Sequence, residues 1–237
     1  MSTTLLRFAL PSWRRHRSEI IAAAVIALAW VSLAARAPGM HASSATEAWW
    51  PGLGYCAAMA IAMMGPVALP AIRHVGVNTL AWRRGRAMLE FSVAYLAIWV
   101  AFEALVPLIT RAIPRAREWS AFVIALIAAS AWQLTPLKRM ALRACHRSVP
   151  LPPTGARAEL ASIQFGLRNG LACLGTCWCL MLVVATAPSA HVSLSAAIAA
   201  VVACERLAER PMHATRVIAA SLFALAMVTA ITLAMLL

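Results

Sequence analysis

The stretch RNGLACLGTCWCLM, from Arg168 to Met181, puts three cysteines inside an apolar run that opens with an arginine and an amide. A helix turns about 100° per residue, so Cys173 and Cys177 fall one turn apart on one face. Asn169 and Met181 lie a turn to either side of them, and Cys179 points about 200° away from Cys177. Two thiols on one face of an apolar helix can hold a soft metal ion or do redox chemistry. They can also simply pack, because cysteine behaves as a small hydrophobe. A second soft stretch, CAAMAIAMMGPVALP, places Cys56, Met59 and Met63 at i, i+3 and i+7, again on one helical face. Those methionines could serve as thioether ligands or as core filling.

The elements that carry these residues follow from composition. Hydrophobic residues make up 62% of the 237, and mean hydropathy is +0.78, too apolar for a soluble domain. Apolar runs of about 18 to 20 residues recur, the length that crosses a ~30 Å hydrocarbon core. The reading is an all-α, polytopic membrane helix bundle, one integral membrane domain over 1–237 with about seven transmembrane helices. They are placed near 20–36, 50–72, 87–110, 119–137, 162–187, 192–207 and 216–237. The first resembles a signal peptide, with Ala35-Arg36-Ala37 mimicking a cleavage site. Pro38 follows at once and should hinder cleavage, so it is read as a retained helix. Pro66 and Pro70 should kink or end the second helix near its far side. Gln133 and Thr135 can cap backbone groups freed around Pro136, with Lys138 and Arg139 at the water boundary. The link from there to about Ala158 reads as an irregular loop.

The net charge of +13 does not imply nucleic acid, because the arginines cluster in the short connections. Sixteen basic residues fall on one side of the seven-helix arrangement and four on the other. The positive-inside rule then puts the N-terminus in the cytoplasm of a bacterial inner membrane, the lipid bilayer being the first partner. At 1.5 Å per residue this orientation brings Met63 level with Cys173, and Met59 level with Cys177. Glu103 lies well inside the third helix, where a carboxylate either marks a function or has a partner. Arg168 lies ~8 Å inside the boundary and is expected to pair with Glu205 on the sixth helix, with Glu90 the competitor. No Gly-rich phosphate loop, HExxH or GxSxG motif is present, so nucleotide-binding and hydrolase readings lack support.

In order along the chain, AMAIAMMGPVALP, AYLAIWVAF, WQLTPLKRMALRAC, GLRNGLACLGTCWCLM and ACERLAERP resemble the motifs of domain-of-unknown-function family 2182. That family comprises bacterial polytopic membrane proteins described as predicted metal-binding, and the resemblance implies a metal site. Its pattern there is close to His-Gly-x-x-Cys-x-Gly-Cys-Cys-Trp. Asn169 stands at the His position and Thr176 at the first paired Cys, while Cys173, Cys177 and Trp178 match and Cys179 is extra.

Three functions of different class follow. The first is handling of a soft metal, with copper as Cu(I) favoured by thiolate and thioether ligands. Its ligands are Cys173 and Cys177, with Met59 and Met63 secondary. The second is a non-catalytic structural subunit or assembly factor held to other membrane-protein subunits. The third is a thiol oxidoreductase, which ranks last because side chains within one regular helix point poorly for a disulfide and the CxxC spacing is absent.

Overall fold

A computed structural model describes the backbone of residues 12–36, 49–110, 113–114, 117–152, 154–188, 191–207 and 211–236. Among the described residues there are eight α-helices and no strand. They are α1 (Ser12–Arg36), α2 (Trp49–Val77), α3 (Arg84–Thr110), α4 (Glu118–Leu134), α5 (Pro136–Cys145), α6 (Ala156–Thr186), α7 (His191–Leu207) and α8 (Pro211–Leu236). Four of them contain spans long and apolar enough to cross a bilayer: 54–77, 84–106, 156–186 and 213–235. The count becomes five if α4 and α5 form one broken span. The apolar part of α1, Ile20–Ala35, is shorter, and α7 has only 17 residues. Seven crossings were expected, and length and composition support four or five.

Two expectations about elements need correction. Pro66 and Pro70 do not end α2, which runs on to Val77. The fourth helix stops at Leu134 rather than 137, and the start of the supposed loop belongs to a further ten-residue helix, α5, bent 70° from α4. Sequence explains the break. Pro136 has no N–H to donate, and its ring forces the preceding residue out of the α region. Thr135 is accordingly extended, at φ −69° and ψ 148°. Its hydroxyl donates to the Trp132 carbonyl at 2.8 Å and accepts from the Lys138 N–H at 3.2 Å, so one residue closes α4 and caps α5. Gln133 takes no part in capping: it is buried, and both polar atoms of its amide lack a partner.

The central element is α6, which packs against α3, α4, α5 and α7. Small residues let the neighbours approach. A Cβ added at Gly166 would lie 2.5 Å from the Phe91 carbonyl oxygen, and one at Gly170 would lie 3.1 Å from that of Tyr95. On the α5 side, a Cβ at Gly175 would meet the Ala141 Cβ at 3.2 Å. Backbone contact this close fixes the register of α3 and α5 against the cysteine-bearing face.

Candidate metal centre

With α3, α4, α5 and α7 packed against α6, Cys173, Cys177 and Cys179 are all buried. Cys179 faces away from Cys177 as its spacing requires, but into packed protein rather than outward. Cys173 and Cys177 meet as neighbouring side chains one turn apart. The α3 register set by Gly166 and Gly170 brings the Tyr95 hydroxyl to 3.1 Å from the Cys173 sulfur, to which it donates. From α2, the Met64 sulfur lies 3.9 Å from the same thiol. The thioether against Cys173 is therefore that of Met64, one residue beyond the expected Met63. The depth matching found the level, but a shift of one residue turns a helix face by 100°. Met59 and Met63 line a separate cavity with Glu103.

Thr176 donates its hydroxyl to the Cys173 carbonyl at 2.7 Å and lies 3.1 Å from the Cys177 sulfur. It thus contacts the pair without adding a third thiol to it. Asn169 is buried a turn before Cys173, and its Nδ2 has no hydrogen-bond partner. A fourth thiol arrives from α5: Cys145 accepts from Arg206 Nη2 at 2.7 Å. The charge of Arg206, on α7, also lies near Cys173, so one guanidinium stands beside thiols of two helices. Cys145 and Arg206 were missed in the sequence. The available signal was Lys138, Leu142 and Cys145 at i, i+4 and i+7, the inward face of a short helix.

The expected Arg168–Glu205 pair does not form. Glu205 is bonded instead to Lys138, with Oε2 to Nζ at 2.9 Å and the side chains 1% and 0% exposed. Lys138 is therefore no boundary marker, because the bend at Thr135 carries it against α6. Arg168 lies on the exposed face of α6 with Leu167 and Leu171. From that depth its long side chain can reach the interface without a carboxylate. Glu90 is held by Arg83 at 2.9 Å and Arg86 at 3.0 Å, and Arg86 continues to Glu159 at 2.8 Å. That network ties the start of α3 to the start of α6.

Among the described residues, no three His, Cys, Asp or Glu side chains stand close enough to hold a metal ion together. A structural zinc centre needs four such ligands. The donor set around Cys173 is two thiols and one thioether, which is soft-metal chemistry. A family model described as PpoB2, copper chaperone, matches residues 53–229. The chain belongs to that family. The matched span takes in Met64, Tyr95, Lys138, Cys145, the α6 cysteines and Arg206, so the whole centre lies within the matched residues. Neither the curated proteins nor the solved structures yield a match.

Proposed function

We propose that this chain is a membrane-embedded copper chaperone that carries Cu(I) as cargo between Cys173 and Cys177, with Met64 as the supporting thioether. The observation that carries the reading is the meeting of two thiols and a thioether at the centre of the bundle. Soft sulfur donors select Cu(I) over harder divalent ions. Charge supports the same reading. Two thiolates and one monovalent copper leave a single negative charge, and the adjacent Arg206 guanidinium offsets it in a medium where an unpaired charge is costly. Deprotonation of both thiols accompanies loading, so two protons leave as the ion enters. Tyr95 donates to Cys173 from the α3 side and orients that sulfur toward its partner.

The setting of this proposal is a bacterial inner membrane with the N-terminus cytoplasmic, a reading drawn from the division of basic residues over the seven expected helices. The ordered motifs resembling domain-of-unknown-function family 2182 accord with it. Purified full-length protein in mild detergent, competed against a Cu(I) chelator under reducing conditions, tests it. Tight Cu(I) retention should disappear from the central pair in a C173S/C177S variant. Retention unaltered in amount and strength would reject the assignment. A second reading, a structural subunit with a degenerate site, draws on the Thr176 hydroxyl and Asn169 where the resembled pattern has ligands. Stoichiometric co-purification with other subunits and no copper would favour it.

A further inference from the structure

Met59 and Met63 take part in a different arrangement from the one their spacing suggested. A cavity of about 200 Å³ lies between α2, α3 and the last turns of α6. Cys56, Met59 and Met63 line it from α2, Glu103 from α3 and Met181 from α6. We propose that this cavity is a second soft-cation site, which holds one Cu(I) ion and passes it to the Cys173–Cys177 pair.

The donor set supports this. One thiol and three thioethers face one space, and thioethers are ligands for Cu(I) rather than for calcium, magnesium or zinc. The single carboxylate argues the same way. Glu103 lines the cavity, and among the described residues no ion pair or hydrogen bond engages its side chain. A carboxylate at this depth in an apolar bundle needs a proton or a cation. A monovalent soft ion held by the neighbouring sulfurs supplies the charge. A cavity meant only for a lipid chain has no use for the carboxylate.

The route onward is short on both helices. Met63 is followed by Met64, which touches Cys173. Met181 stands one turn beyond Cys177 on α6, a rise of ~6 Å. The two sites therefore share α2 and α6, with their sulfur donors at adjacent or one-turn positions on each helix. Transfer releases it from Met63 and Met181 as Cys177 and Cys173 bind. Loading the pair frees two protons: one replaces the departing copper as the partner of the Glu103 carboxylate, and the other leaves to bulk water.

The inference rests on copper being the cargo, and counting ions in paired variants separates the two claims. Full-length protein in mild detergent is titrated with Ag(I), a redox-inert soft monovalent probe, and bound silver is counted per chain. Wild type should bind two ions. An M59L/M63L/M181L variant should bind one, and C173S/C177S should bind one. Met to Leu conserves side-chain volume and is among the best-tolerated core exchanges, so the triple variant keeps its fold. A monodisperse elution profile checks this, and the single M63L variant, expected to weaken the second ion at least tenfold, replaces it if the triple aggregates. Two ions in the triple variant would overturn the cavity site. So would one ion in wild type that is lost in C173S/C177S. One ion in wild type that survives C173S/C177S and vanishes in the methionine variant would support the cavity and reject the central pair.

Discussion

At the scale of single residues, the centre depends on a cation as much as on its thiols. Arg206 bonds Cys145 at 2.7 Å and stands near Cys173, and its Nε has no hydrogen-bond partner. Hydrogen bonds to charged groups contribute about 1.5–3 kcal/mol, roughly ten- to a hundredfold in an equilibrium constant. Arg206→Met should weaken Cu(I) binding by that factor, and Arg206→Lys should recover part of it, as read by chelator competition. Equal affinity in Arg206→Met and wild type would remove the guanidinium from the account. The neighbouring Lys138–Glu205 pair is wholly buried, and such pairs add little net stability although breaking one side is costly. The cysteine pair was legible in the sequence because helical periodicity alone brings residues four apart to one face. Met64, Cys145 and Arg206 were not, since each reaches the centre from another helix whose rotation is set by packing. Arg168 misled for a related reason: a charge within an apolar run looks as if it needs a partner, but on the outer face a long side chain reaches the interface.

At the scale of helices, Gly166 and Gly170 set the distance between α3 and α6 and so the reach of Tyr95 to Cys173. A methyl group at Gly166 would sit 2.5 Å from the Phe91 carbonyl oxygen, closer than any Cβ tolerates, so the helices must move apart. Gly166→Ala should therefore cost on the order of 1–3 kcal/mol, the usual penalty for overpacking. It should also weaken metal binding, because Tyr95 and Cys173 separate. Thermal unfolding in detergent and Cu(I) competition read the two effects. An unchanged melting temperature and affinity would show that the close approach is unnecessary. The seven longer helices were legible from runs of apolar residues. The α4–α5 bend was half legible: Pro136 and Thr135 announced a break, but nothing local says that a chain resumes as a helix and turns 70° onto α6. The amphipathic spacing of Lys138, Leu142 and Cys145 carried that signal, masked by the lysine's usual place at a membrane boundary.

At the scale of the whole molecule, soft donors are distributed along the bundle rather than gathered at one point. Cys56, Met59, Met63 and Met181 line one cavity, Met64, Cys173 and Cys177 meet next along the same helices, and Cys145 follows with His74 and His146 beside a cavity of about 210 Å³. That second cavity shares Cys145 and Arg206 with the central site. In the proposed orientation this cavity faces the cytoplasm. A cysteine introduced at Ser148 should react with a membrane-impermeant maleimide only in inverted vesicles, and reaction in intact cells would reverse the orientation. The central claim is that copper sits among sulfur atoms at Cys173 and Cys177. X-ray absorption at the copper edge tests it most directly, on M59L/M63L/M181L protein loaded with one Cu(I) equivalent under reducing conditions. The account predicts a first shell of sulfur alone, lost when C173S/C177S is added to that background. A shell of nitrogen or oxygen, or a sulfur shell that survives the loss of both cysteines, would contradict it.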